Sequence, residues 1–205
     1  MSAFRVALTF DAEHPDRPSA LGVQERLLDA LDREGVRATF FVQGRWAEAY
    51  PATAQRIGPA GHLVGSHSFY HARMPLFSGP GFDTDVQDAQ RAIVEILGID
   101  PRPWFRFPFG AGFDDPRVLA RLTALGYRHV HWDVEPDDWD PGRTARQVED
   151  TVVDGTLSRG DGAIVLLHTW PSNTIEALPG MLARLRDKGA SFVPLDELPG
   201  SMDKP

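Results

Sequence analysis

Phe4-Arg5-Val6-Ala7-Leu8-Thr9-Phe10-Asp11-Ala12-Glu13 begins as a short apolar run and closes on two acids. The run Phe4–Phe10 reads as a buried strand, because apolar residues fall on both of its faces. Five similar strands are predicted at Arg37–Val42, His62–Ser66, Trp104–Phe107, Arg128–Val134 and Ala163–Leu167, and a short last one at Ser191–Pro194. Between them lie amphipathic stretches. Leu21–Leu31 carries Val23, Leu27, Leu28 and Leu31 at helical spacing, and Val86–Leu97 carries Val86, Ala89, Ile93, Val94 and Leu97 on one face before Gly98. Further helices are predicted at Trp46–Ile57, Pro116–Leu125 (capped by Asp114 or Asp115), Thr144–Leu157 and Ile175–Lys188.

Seven strands alternating with about six helices imply parallel strands joined by right-handed crossovers. An open doubly wound sheet and a closed barrel both satisfy this pattern. Asp11, His67, Arg106, Asp133, Glu135 and His168 all fall at or just past the C-terminal ends of predicted strands. In parallel α/β folds chemistry collects at that edge, which favours a barrel-type site.

The chain has 205 residues, 42% of them hydrophobic and 24% charged, enough for one domain with a substantial core. We read residues 1–198 as a single catalytic domain and 199–205 as a loose tail. No apolar run approaches the ~20 residues that span a bilayer. The N-terminus enters a strand at once, with no basic region followed by an apolar stretch, so the expected location is cytoplasmic. The absence of cysteine excludes disulfides, thiolate metal sites and a cysteine nucleophile. A net charge of −8 argues against a nucleic-acid partner.

Four segments read as parts of one site: Thr9–Glu13, His67-Ser68-Phe69-Tyr70-His71, Arg106-Phe107-Pro108-Phe109-Gly110 and Leu166-Leu167-His168. Two histidines at i and i+4 present both imidazoles to one metal ion if the segment makes a helical turn. Asp11 and Glu13, two apart on a strand, share a face, with Ala12 turned away. One carboxylate then holds a metal while the other abstracts a proton. Arg106, if buried, needs an acidic partner, and Asp11 is the candidate. His168 leaves a buried strand at the active edge. His14, His62, His129 and His131 read as structural, with His14 close enough to Asp11 to be watched. Alone, each of these residues also has an ordinary structural reading as a cap, surface pair or core histidine; their co-location favours a site.

In this order the segments resemble the polysaccharide deacetylases, carbohydrate esterase family 4, over nearly the whole chain from Phe4 to about Pro194. The resemblance implies a distorted parallel (β/α) barrel and a hydrolase of carbon–nitrogen bonds. It makes Asp11 the catalytic base, His67 and His71 metal ligands, and Arg106 the partner of the base. The Phe109 N–H would help hold the oxyanion. Asp138 would tune His168, the general acid, while Trp139 and Leu166 would shape the acyl pocket. Two positions depart from the family pattern. Ala12 stands where a metal-binding acid is usual, so Glu13 is taken as the carboxylate ligand; Glu135 replaces an aspartate of the acid–tryptophan motif.

The implied cofactor is a divalent metal, zinc first, with cobalt, nickel, manganese or iron also suiting two imidazoles and a carboxylate. The implied partner is an N-acylated amino sugar. A small non-sugar amide, cleaved as in the allantoinase-like branch and with or without metal, is the alternative within the fold. A non-catalytic carbohydrate-binding relative is the alternative from another class. An iron oxygenase is disfavoured, because its two-histidine, one-carboxylate sites usually sit on all-β scaffolds. Substrate length, acyl group and oligomeric state are not legible in the sequence.

Overall fold

The computed structural model describes residues 3–17 and 19–198; the expected tail at 199–205 lies outside them. The strands are β1 (Phe4–Ala12), β2 (Thr39–Val42), β3 (Leu63–Ser66), β4 (Trp104–Phe105), β5 (Arg128–His129), β6 (Ala163–His168) and β7 (Ala190–Phe192). They form one parallel sheet in the order β5-β4-β3-β2-β1-β6, with β7 beside the start of β1. β1 is an interior strand between β2 and β6, as its largely apolar run requires. Thr9 to Ala12 pair with Thr39 to Val42, and Val6 to Asp11 with Ala163 to His168. The one hydroxyl inside this run is satisfied, since Thr9 Oγ1 donates to the Val165 carbonyl at 2.6 Å.

The two outer edges of the sheet curl toward each other. Val134 forms a parallel bridge with Val165, and the Leu166 N–H donates to the Val134 carbonyl at 2.9 Å. The result is the distorted parallel (β/α) barrel. The predicted strand Arg128–Val134 therefore works in two parts: its first residues pair with β4, and its last crosses to β6 and closes the gap.

Among the described residues seven α-helices cover the sheet: α1 (Val23–Arg33), α2 (Gly44–Ala49), α3 (Pro51–Ile57), α4 (Gly79–Leu97), α5 (Pro116–Ala124), α6 (Ala145–Arg159) and α7 (Ser172–Asp187). The single helix expected over Trp46–Ile57 is two. Pro51 has no N–H to continue α2, and it excludes the helical region for Tyr50, which takes φ −127°, ψ 53°. Helix α4 begins at Gly79 rather than Val86, with Pro80 in its first turn and the Ser78 hydroxyl accepting from Gly81 N–H. Asp115 caps α5, and Thr144 with Gln147 makes a capping box on α6.

The largest core lies on one face of β1. Val6, Leu8, Phe10 and Ala12 pack there with Leu27, Leu31, Val42, Val165 and Leu182, all fully buried. Each large aliphatic side chain so buried contributes about 1.5–3 kcal/mol. The opposite face of β1, past Thr9, carries Asp11 toward the C-terminal mouth of the barrel.

Candidate active site

The end of β1 separates its last side chains by the two-residue period of a strand. Ala12 is fully buried and belongs to the core behind the sheet. Asp11 and Glu13 turn the other way, 3% and 5% exposed, into the barrel mouth. Two such carboxylates persist only with partners. For Asp11 the partner is Arg106, across 95 residues of sequence: Arg106 Nη1 donates to Asp11 Oδ1 at 2.9 Å. The arginine is itself fully buried, with its guanidinium 4.2 Å from the centre of the Phe41 ring and Nε donating to the Val130 carbonyl at 3.3 Å.

His67 and His71 do not lie on a helical turn. Ser68 and His71 have φ of 63° and 56°, left-handed values that no helix contains. The loop is held instead by side chains. The Ser68 hydroxyl accepts from the His71 N–H at 3.0 Å, and the Asp85 carboxylate of α4 accepts from the Phe69 and Tyr70 N–H groups. Gln43 ties the loop to β1, donating to the Phe69 carbonyl at 3.1 Å and accepting from the His14 N–H at 3.0 Å. These bonds achieve by loop geometry what the i, i+4 spacing suggested by helix geometry. Both imidazoles face Glu13: His67 Nε2 lies 3.1 Å from Oε2, and His71 Nε2 closes on the same oxygen.

This constellation fits a divalent cation. The ligand atoms of Glu13, His67 and His71 all lie within 4.8 Å of one another. His67 Nδ1 sits 2.9 Å from the Arg106 carbonyl, which can only accept, so Nδ1 carries the proton and Nε2 is free to bind metal. Burial alone would raise the Glu13 pKa. Its hydrogen bonds with His14, His67 and His71, and the charge of His168, outweigh burial and hold it well below the ordinary carboxylate value. Burial likewise opposes the charged form of His67, but Asp11 and Glu13 overcome it and raise its pKa. Burial prevails at His71 and lowers its pKa, favouring the neutral ring a metal needs.

His168, the last residue of β6, is aimed by Asp138. Its Nδ1 lies 2.7 Å from Asp138 Oδ1, and its N–H donates to Oδ2 at 2.8 Å. The Thr174 hydroxyl donates to the same Oδ2 at 2.6 Å, so the carboxylate is held on three sides and fully buried. Burial works against charging the ring, but Asp138, then Glu13 and Asp11, raise the His168 pKa to about 9. The ring is thus a proton donor at neutral pH, with Nε2 toward Glu13 at 3.8 Å.

These groups open into one cleft of about 400 Å³. Leu166 lies in its floor, while Phe109 and Trp139 stand on its walls, 53% and 43% exposed. The Phe109 ring packs edge-on to His71, 4.6 Å between centres, from a backbone at φ 58°. Of the ten residues singled out in the sequence for a role, eight line this cleft, while Arg106 lies buried behind Asp11 and Asp138 behind His168. Of the two acids past β5, Glu135 also lines the cleft, whereas Asp133 is engaged by Arg159 and the Ile164 N–H; His14, watched for its closeness to Asp11, lines it too, and His62, read as structural, accepts from the Ala38 N–H. Sequence reasoning passed over Gln43 and Asp85, which look like ordinary polar residues beside helices. Their near-complete burial is what sets them apart, and no spacing rule reveals it.

The family model described as polysaccharide deacetylase matches residues 1–130. The chain belongs to the polysaccharide deacetylase family. This is the family the motifs resemble, and relatives in it are named as deacetylases, hydrolases of the amide carbon–nitrogen bond. Among its relatives, the peptidoglycan-N-acetylglucosamine deacetylase of Listeria monocytogenes is 35% identical over 197 residues, covering 96% of this chain but 39% of the relative. The chain thus spans well under half of that protein. A solved family 4 carbohydrate esterase from Streptomyces lividans, in complex with acetate, superposes with a TM-score of 0.78 at 33% identity, covering 92% of this chain and 91% of the other. A family 4 pseudoenzyme from Bacillus anthracis superposes with a TM-score of 0.84 at 28% identity, covering 96% and 65%. The deacetylase fold thus accompanies both active and inactive relatives, and activity has to be argued from the site residues. Among the described residues, no helix is long and apolar enough to cross a membrane.

Proposed function

We propose that this polysaccharide deacetylase-family chain removes an N-acetyl group from an amino-sugar substrate by metal-assisted hydrolysis. The observation that carries the reading is the set of three differently prepared groups in one cleft. They are a carboxylate clamped by a buried arginine (Asp11–Arg106), an imidazolium clamped by a buried carboxylate (His168–Asp138), and a Glu13–His67–His71 cluster between them. A second cluster, Asp11, Glu13 and His168, is equally compact. We assign the metal to the first, because Asp11 and His168 are each already committed to a partner.

Glu13, His67 and His71 would hold a divalent ion, which when bound would supply Lewis acidity for the acyl carbonyl and a lowered pKa for the attacking water. Asp11, oriented by Arg106, takes the proton of that water. The Phe109 N–H donates to the oxyanion, a contact worth roughly 3 kcal/mol. His168 delivers its Nε2 proton to the leaving amine, and Asp138 stabilises the ring while it is charged. Trp139 and Leu166 bound the space for the acetyl methyl. Zinc is our first choice of metal for this donor set.

The test is release of free amine from N-acetylglucosamine oligomers by the purified chain, with and without chelator. We expect chelator-sensitive turnover that falls at least ~10²-fold in Asp11→Asn. Binding of the oligomer with no turnover at any pH, with metal present, would establish the non-catalytic reading instead.

A further inference from the structure

Most arginines of this acidic chain are matched to carboxylates, as in Arg5–Asp161, Arg121–Asp83 and Arg186–Glu34. Arg26 and Arg33, which have no such partner among the described residues, donate to the carbonyls of Leu21 and Asp29. Arg17 and Arg73 do neither among the described residues, and both line the active cleft. Each is exposed and lies on an aromatic face, Arg17 4.7 Å from the Trp170 ring centre and Arg73 4.7 Å from that of Phe109. A guanidinium stacked in this way is fixed in place while its edge donors stay free. The two come from opposite flanks. Arg73 follows β3 beside the loop after β4, and Arg17 follows β1 beside the loop after β6. Arg17 and Trp139 also border a neighbouring groove of about 430 Å³, so the cleft continues past the reacting position. A net charge of −8 makes the long-range field unfavourable to anions, so cationic flanks at this one place serve local recognition.

We propose that the substrate is an acidic glycan, with carboxylates on the units flanking the N-acetylated sugar bound by Arg17 and Arg73. This rests on the deacetylase reading of the same cleft. Guanidinium–carboxylate contacts are charge-assisted and forked, and two of them select strongly against a neutral chain. The test compares kcat/KM of the metal-loaded protein on three oligomers: neutral N-acetylglucosamine, N-acetylglucosamine alternating with a uronic acid, and N-acetylglucosamine alternating with N-acetylmuramic acid. At least one acidic oligomer should exceed the neutral one by about tenfold or more at low salt, and the two acidic arms tell a ring carboxylate from an ether-linked one. Arg17→Ala and Arg73→Ala should each remove about tenfold of that advantage, chiefly through KM, and so cost the acidic oligomer more than the neutral one. Equal rates on all three, or a preference that survives both substitutions, overturns the proposal while leaving the deacetylase reading intact. If no oligomer turns over, that reading fails, and the Kd values of the same three oligomers decide the charge preference.

A different observation bears on His14. Its Nε2 lies 3.1 Å from Glu13 Oε1, whereas His67 and His71 face Oε2. Its ring meets that of His71 edge-on at 4.3 Å, and its backbone, at φ 54°, is held by Gln43. A glutamate has one more rotatable bond than the aspartate usual in the family, and His14 pins the oxygen that faces away from the two histidines. We infer that His14 is a positioning residue that keeps Glu13 in a one-oxygen binding mode and so offsets Ala12. In His14→Ala the affinity for Zn²⁺, measured by chelator competition, should weaken about 10–100-fold, with the absorption bands of the Co²⁺-substituted protein unchanged in position. His14→Gln, which keeps a donor, should recover most of the affinity. Unchanged affinity, shifted Co²⁺ bands (His14 then being a ligand), or no metal binding by the wild type each overturns the assignment.

Discussion

Replacing Asp138 with Asn removes a charge from behind His168 and leaves a side chain of the same shape. The carboxamide oxygen can still accept from the Thr174 hydroxyl or the His168 N–H, so the loop keeps an acceptor where Oδ2 now serves both. The imidazolium loses the first of the groups that oppose burial and raise its pKa from 6.5 to about 9. At 1.36 kcal/mol per pKa unit, the surroundings favour the charged ring by about 3 kcal/mol. Without Asp138 the pKa falls toward the ordinary value, because burial is then opposed only by Glu13 and Asp11. At pH 8 a ring of pKa about 9 is roughly nine-tenths protonated, and one of pKa about 6.5 roughly one-thirtieth. The variant should therefore lose about 30-fold or more in kcat/KM at pH 8 but little at pH 6. The assay is the pH profile of kcat/KM from pH 5 to 10, with the His168 titration followed by NMR in parallel. A basic limb that stays near pH 9 in Asp138→Asn, or an equal loss at every pH, would refute the argument that His168 acts as an acid tuned by Asp138.

The same pair makes stability depend on pH. The folded pKa of His168 is raised, so its contribution is complete below about pH 6.5 and is lost as pH rises through about 9. The metal-free wild type should lose about 3 kcal/mol more over that window than Asp138→Asn, as read from urea unfolding at each pH. Arg106→Ala should cost about 3–5 kcal/mol, because it leaves the buried Asp11 carboxylate with only the longer contact to His67 Nε2 at 3.5 Å; loss below 1 kcal/mol in the same assay would mean that His67 alone compensates Asp11. Ala12→Asp restores the acid usual in the family, yet it should destabilise by several kcal/mol without tightening metal binding, because position 12 faces the apolar core. Thermal melts together with Zn²⁺ affinity check this, and a stable, tighter-binding variant would contradict it. Asp85→Ala should weaken Zn²⁺ affinity by freeing the Phe69–His71 loop, with kcat at saturating metal little changed.

The fold was legible where one physical rule dominated. Seven strands follow from apolar runs, and the sheet edge that carries chemistry follows from where Asp11, Arg106 and His168 fall along them. The Asp11–Arg106 pair was also legible, since a buried arginine after Trp104-Phe105 needs an acid and few acids lie near a strand end. What was not legible depended on long-range context. The break at Tyr50–Pro51 was written in the proline, but the helical period on either side of it concealed it. Helix α4 begins in Gly79-Pro80-Gly81, a sequence of poor helix propensity that tertiary packing and the Ser78 cap override. The convergence of His67 and His71 was anticipated for a reason that does not hold. Their loop is shaped by a local Ser68–His71 bond and by Gln43 and Asp85, which reach its backbone from 26 and 16 residues away and leave no periodic trace. Ala12 shows the converse: its small apolar side chain looks like a gap in a motif, and in the fold it is core.

The central claim is that a Glu13–His67–His71 metal site drives hydrolysis in this cleft. Titrating metal-free protein with Zn²⁺ while following acetate release tests it most directly. Turnover should be absent without metal and rise linearly to a break at one ion per chain, and Glu13→Ala should show neither tight binding nor turnover. Full activity in the metal-free protein, or a Glu13→Ala variant that titrates like the wild type, would contradict it.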